Sequence, residues 1–163
     1  MKNTAAILKK IVTLDQLLHT LAQIRMPGKT VSFTNGCFDI LHSGHIASLS
    51  QAALEADFLV VGLNSDRSTR KLKGENRPVN DEQSRALLLA SLLIVDAVVL
   101  FEEDTPLEII KAIQPEVLVK GGDYTLDQIV GSREVIVNGG RVVINPILKG
   151  FSTTGLLEKI NRL

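Results

Sequence analysis

His42 and His45 lie in the segment Phe33-Thr34-Asn35-Gly36-Cys37-Phe38-Asp39-Ile40-Leu41-His42-Ser43-Gly44-His45, where an apolar run hands over to a helical pattern. Thr30 to Phe33 is rich in β-branched and aromatic residues, whereas Ile46, Leu49 and Ala53 recur at helical spacing. The histidines therefore fall at a helix N-terminus, and residues at their spacing share one helix face. The first turn of a helix presents unpaired N–H groups and a partial positive charge. Two imidazoles beside that end make a clamp for an anion such as phosphate. Gly44 has no Cβ and lets a ligand approach the backbone. Zinc is the rival for a histidine pair, and the single cysteine argues against it.

The elements needed to hold this clamp are readable from periodicity. Short apolar runs predict strands at 30–34, 58–63, 97–101, 117–120 and 141–144, and helical patterns fill 44–55, 81–93, 106–113, 132–138 and 153–162. Alternation of strands and helices implies an α/β fold: a Rossmann-like, doubly wound, five-stranded parallel sheet with flanking helices. The expected strand order is 3-2-1-4-5, with ligands at the carboxyl ends of strands one and four. Residues 1–163 read as a single domain, with 1–28 a lead-in helical segment. Thr13-Leu14-Asp15-Gln16 has the form of a capping box, Leu17, Leu21 and Ile24 form a stripe behind it, and Pro27-Gly28 stops the helix. That stripe can cap the sheet or pair with another chain. Thr105-Pro106-Leu107-Glu108 predicts a second capped start.

Composition narrows the function. At 163 residues, 45% hydrophobic, the chain can bury a full core. Eighteen basic residues balance eighteen acidic ones, and no basic run with interleaved aromatics marks a nucleic-acid groove. No signal-peptide pattern or membrane-length apolar run is present, so no membrane partner is expected. With one cysteine no internal disulfide can form, and a cytoplasmic setting is expected. Cys37 reads as a small buried side chain. Absence of Gly-x-Gly-x-x-Gly after the first strand disfavours a nicotinamide dehydrogenase.

His-x-Gly-His after a strand resembles the nucleotidyltransferase α/β-phosphodiesterase superfamily, which moves a nucleotide monophosphate from a nucleoside triphosphate onto a phosphate. Leu72-Lys73-Gly74, Arg77-Pro78-Val79-Asn80, Phe101 to Pro106, Leu118-Val119-Lys120-Gly121-Gly122-Asp123-Tyr124 and Ser152-Thr153-Thr154 follow in an order similar to the nucleotidyltransferase domain of bifunctional heptose kinase/adenylyltransferases. The resemblance runs from about Thr30 to Leu163.

It implies transfer of AMP from ATP to D-glycero-β-D-manno-heptose 1-phosphate, giving ADP-heptose for lipopolysaccharide or another surface glycan. Cytidylyl transfer to glycerol phosphate or a related polyol phosphate is the alternative. A non-catalytic nucleotide-binding regulatory module is the alternative from another class. His42, His45 and Lys73 are implied as catalytic. Thr34, Asn35, Gly36, Phe38, Asp39, Gly44, Lys120, Gly121, Gly122, Asp123, Ser152, Thr153 and Thr154 are implied in nucleotide binding, and Asn64, Asp66, Arg77 and Arg85 in substrate binding. Asp39 either contacts the ribose or shapes its turn, and Arg85 either contacts phosphate or is a surface helix arginine. Ser152 to Thr154 can also serve as plain N-caps. Where the cytidylyl relatives carry an arginine before this last motif, the chain has Ile147. Mg2+ is expected, held mainly by phosphates and water rather than by a protein metal site. A separate heptose kinase and a homodimer are the implied partners.

Overall fold

The computed structural model describes residues 4–122, 124–146, 153–160 and 162. Its strands are β1 (Ile11–Val12), β2 (Val31–Gly36), β3 (Phe58–Asn64), β4 (Ala97–Phe101), β5 (Val117–Gly121) and β6 (Arg141–Asn145). They form one parallel sheet in the order β1-β4-β3-β2-β5-β6. The expected order is contained in it as β4-β3-β2-β5-β6. The sheet is six-stranded, not five-stranded, because β1 adds to the β4 edge through Ile11 opposite Val98 and Val12 opposite Val99. Two residues are too short a run to register as a period. Lys10 fixes them, its Nζ donating to the carbonyls of Leu92 and Val95 at 3.0 and 2.6 Å.

The helices are α1 (Ala5–Leu8), α2 (Leu14–Arg25), α3 (Ser43–Leu54), α4 (Asp66–Lys73), α5 (Glu82–Ala90), α6 (Leu107–Ile113), α7 (Ser132–Val137) and α8 (Thr153–Ile160). The Thr13 box forms: Gln16 N–H donates to Thr13 Oγ1 at 3.3 Å and Thr13 N–H to Gln16 Oε1 at 3.0 Å. Segment 1–28 is thus not purely helical, and α2 belongs to the main core. Leu17 and Leu21 are buried with Val31, Phe33, Ile110, Ile113 and Leu118, so this stripe covers the sheet. The Thr105 box does not form. Pro106 is itself the N-cap residue, and Glu108 pairs with Lys111 at 2.9 Å.

Two aliphatic layers sandwich the sheet. Leu17, Phe33, Val99, Ile110 and Leu118 lie in one, and Leu49, Val61, Leu89, Val98 and Val119 in the other. Helix α4 is absent from the expectation. Its sequence DRSTRKLK has one large apolar residue, Leu72, and so carries no hydrophobic stripe. It is held at its ends: Ser65 Oγ accepts from Ser68 N–H at 3.1 Å, and Arg70, Lys71 and Lys73 sit in the last turn, where cations favour the helix dipole.

Candidate active site

β2 ends at Gly36, and the chain must turn sharply to enter α3. Phe38 takes the turn with a left-handed φ of 45°, which puts its ring against His45 at a centroid distance of 5.3 Å. His42 is the extended N-cap residue of α3, and its carbonyl accepts from the N–H groups of His45 and Ile46 at 2.9 and 3.2 Å. Helix geometry leaves the N–H groups of Ser43 and Gly44 without intrahelical acceptors. The imidazoles stack, 3.8 Å between centroids and 20° between planes.

Both rings are poor bases here. Burial lowers the pKa of His42. Burial, and then the charge of His42, bring His45 down to about 4, with the Ile40 carbonyl opposing. At neutral pH the pair is therefore uncharged. Nδ1 of His42 is buried without a hydrogen-bond partner among the described residues. Nε2 is left as the ring atom to meet a ligand.

These rings open onto a cavity of about 650 Å³ over the carboxyl ends of β2, β3 and β5. Of the residues singled out from sequence, Asn35, Gly36, Phe38, Asp39, His42, His45, Asn64, Lys73, Arg77, Lys120 and Thr153 line it. Thr153 brings the N-terminus of α8 to the same space.

Others stand behind the wall. Thr34 is buried within β2, and Gly44 lies in the first turn of α3. Gly121 and Gly122 are not among the lining residues. Gly122 is required for another reason: its φ is +137°, and a Cβ there would meet the Tyr124 ring at 2.5 Å. Asp123 and Ser152 lie outside the described residues, as does the side chain of Thr154.

Arg85 is neither a surface arginine nor a lining residue. It is fully buried and donates to the carbonyls of Cys37, of Asn64 at 2.9 Å and of Asn80 at 3.0 Å, and to Asp66 at 2.7 Å. Asp66 is thereby engaged by Arg85 rather than facing the cavity. Asp39 lines the cavity and also fastens segment 77–80 to the turn after β2. Its 2% exposed carboxylate accepts from Arg77 Nε and from the N–H groups of Val79 at 2.7 Å and Asn80 at 3.1 Å. Asn64 Nδ2 donates to Ser68 Oγ at 2.9 Å, joining β3 to α4.

Sequence reasoning did not assign Leu72, Asp104, Thr105, Pro106, Tyr124 and Val130 to the lining, nor Cys37 beyond a packing role. Thr105-Pro106 was readable as a helix start, and the start it makes is at the cavity rim. Tyr124 directly follows the Lys120 to Asp123 motif, and that adjacency was the available signal.

A family model for cytidylyltransferase-like proteins matches residues 33–159. The chain belongs to the cytidylyltransferase-like family. The bifunctional protein HldE of Nitrobacter hamburgensis is 56% identical over 145 residues, 89% of this chain, and that of Koribacter versatilis is 55% identical over 150 residues, 92% of this chain. The chain spans 30% and 31% of those two proteins. Among solved structures, the lipopolysaccharide core biosynthesis protein of Thermoplasma volcanium is 31% identical with a TM-score of 0.61, over 76% of this chain and 100% of that one. Pantoate-beta-alanine ligase of Francisella tularensis, 17% identical with a TM-score of 0.58 over 94% of this chain and 78% of that one, shares the fold.

Proposed function

We propose that this cytidylyltransferase-like chain is an adenylyltransferase that transfers AMP from ATP to D-glycero-β-D-manno-heptose 1-phosphate, releasing pyrophosphate and ADP-heptose. The observation that carries this reading is the stacked His42–His45 pair at the start of α3, sharing one cavity with Lys73, Arg77 and the start of α8. Such a set offers donors and positive charge to a polyphosphate. The HldE relatives and the Thermoplasma volcanium lipopolysaccharide core protein support a glycan precursor as product.

The chemistry asks little of a base. A phosphate monoester has a second pKa of about 6 and is largely ionised at neutral pH. One of its oxygens forms a bond to the α-phosphorus of ATP, the bond from that phosphorus to the bridging oxygen breaks, and pyrophosphate leaves with the electron pair. The protein must position the reactants and stabilise charge spreading over the phosphate oxygens. His42 and His45, uncharged and with Nε2 free, donate hydrogen bonds to those oxygens rather than abstract a proton. Lys73 and Arg77 neutralise the triphosphate.

The cavity fits magnesium bound through substrate. Of its carboxylates, Asp39 is spent on Arg77 and segment 77–80, and Asp104 pairs with Lys71 at 2.7 Å. No cluster of three ligating side chains occurs among the described residues. When bound, the ion supplies charge neutralisation among the phosphates, with Asp104 the rim carboxylate nearest in kind to an outer ligand. No helix among the described residues is long and apolar enough to cross a membrane. The same reading places the reaction in the cytoplasm, with the sugar phosphate supplied by a kinase and the enzyme acting as a homodimer.

The second reading, cytidylyl transfer to a polyol phosphate, is favoured by the family description itself. A panel of sugar 1-phosphates and glycerol phosphate, each with ATP or CTP and magnesium and read by pyrophosphate release, decides between them. Preference for CTP with glycerol phosphate would overturn the adenylyl reading.

A further inference from the structure

A side chamber of about 190 Å³ adjoins the cavity. Leu118, Ile129 and Tyr124 give it apolar walls, and Asn35 and Gln128 supply amides. Gln128 Oε1 is taken by Thr125 N–H at 2.9 Å, so its NH2 group is the free donor. Asn35, Lys120 and Tyr124 line both spaces.

Strand geometry explains the arrangement. Side chains alternate along β5, so Leu118 and Lys120 point to one face of the sheet while Val117 and Val119 pack in the opposite layer. Two residues beyond the Phe33–Leu118 pair, the side chains of Asn35 and Lys120 meet, Lys120 Nζ donating to Asn35 Oδ1 at 3.4 Å. Helix α3, which carries the histidines, packs through Leu49 and Ala52 into the layer of Val117 and Val119. The side chamber and the histidine pair thus approach the ends of β2 and β5 from opposite faces.

Lys120 stands at their junction. It is half-buried and forms no ion pair with a carboxylate among the described residues. Burial lowers its pKa, Cys37 opposes, and Lys73 pushes the same way as burial. A cation drawn out of water without a counter-charge is compensated only when an anion arrives. Lys73, Arg77 and Thr153 line the larger cavity and not the side chamber, and so serve the triphosphate of the proposed reaction.

We propose that the acceptor substrate enters from the side chamber: Asn35, Gln128 and the Tyr124 ring hold its polyhydroxyl body, and Lys120 binds its phosphate facing the histidine pair. The proposal rests on the nucleotidyl-transfer reading for the acceptor being a phosphate monoester, and not on which one. Lys120 keeps its proton throughout; its part is to fix the attacking oxygen opposite the leaving pyrophosphate.

Lys120→Met keeps side-chain length and removes the charge. The acceptor is the monoester that the parent turns over fastest, whether sugar 1-phosphate or glycerol phosphate, and ATP or CTP binding is measured separately by calorimetry. Losing a charged hydrogen bond should raise the acceptor KM about tenfold or more while nucleotide affinity moves by no more than about twofold, and Lys120→Arg should recover most of the loss. A larger effect on nucleotide than on acceptor, or none on either, overturns the proposal. Failure of the heptose reading shows elsewhere, in the parent's own preference within the panel. A parent that turns over no phosphate monoester overturns both.

Discussion

Asp39 and Arg77 form an ion pair that is buried on the carboxylate side, with side-chain exposures of 2% and 17%. The same carboxylate accepts from the backbone of Val79 and Asn80, and Asn80 Nδ2 returns a hydrogen bond to the Asp39 carbonyl at 2.7 Å. Segment 77–80 is therefore fastened to the turn that carries the histidines before any substrate binds. Removing one member of such a pair leaves a buried charge and unpaired donors, so Asp39→Ala should cost about 3 kcal/mol in urea unfolding. Glu102→Ala, which breaks the exposed Arg67–Glu102 contact, should cost less than about 0.5 kcal/mol. Equal losses would mean that Asp39 is no anchor.

The histidine stack predicts a kinetic split. If the imidazole N–H of His45 meets charge that develops in the transition state, His45→Ala should lower kcat on the order of 10²-fold while the ATP dissociation constant changes little. A variant within about twofold of the parent in kcat would remove His45 from the mechanism.

The pH dependence of stability has a definite sign. His45 titrates at about 4 in the folded chain against an ordinary 6.5, so the unfolded chain holds the proton more readily. Its contribution is complete above about pH 6.5 and is lost as the pH falls from there toward 4. His45→Gln should flatten that part of the parent's stability curve, measured by denaturant unfolding at stepped pH. Parallel curves for the two proteins would show that the ring is not desolvated. Binding of a triphosphate should raise the same pKa, visible in the imidazole NMR signals near pH 6.

Much of this architecture was legible in the sequence, for reasons that particular residues make plain. Thr13 and Gln16 announce α2 because a capping box is local chemistry, and the parallel pairing of the five longer strands follows from their alternation with helices. β1 was hidden because two residues carry no period, and α4 because its stability lies in its ends and in the link from Asn64 to Ser68. The pairing of the two histidines at the start of α3 was readable from their spacing and from the strand before them. Arg85 was not readable as a buried strut, since its acceptors are carbonyls of Cys37, Asn64 and Asn80, brought together only by tertiary structure. Gly121 and Gly122 stand off the cavity for the same reason: it is the Tyr124 ring, packed over Gly122, that faces it.

The basic segment after β3 should respond to nucleotide over a short stretch. Residues 66–73 are helical and 77–80 are tied to Asp39, leaving the exposed link 74–76 between them. Limited proteolysis should cut at this link, and ATP with magnesium should slow the cut by engaging Lys73 and Arg77 on either side. Lys73→Ala should weaken ATP binding about tenfold, the cost of one charge-assisted hydrogen bond, and abolish most of that protection. Cleavage that proceeds equally fast with and without nucleotide would exclude any closing of this segment.

Base choice turns on Gly122 and its neighbour. A side chain at Gly122 meets two obstacles: a φ of +137°, which disfavours any L residue, and the Tyr124 ring, 2.5 Å from where the Cβ would sit. Gly122→Val should therefore displace Tyr124 and the end of β5 together, and activity with every nucleotide should fall. If backbone groups of this segment read the base edge, the parent should prefer ATP over CTP strongly, because a mismatched base leaves polar groups unpaired. Gly122→Ala combined with Tyr124→Ala separates the two effects, since removing the ring relieves the contact but not the backbone strain. We expect the double variant to remain impaired with ATP and CTP alike, measured as kcat/KM at fixed acceptor. Recovery of ATP use by the double variant would assign the defect to the ring alone, and equal use of ATP and CTP by the parent would defeat the adenylyl assignment.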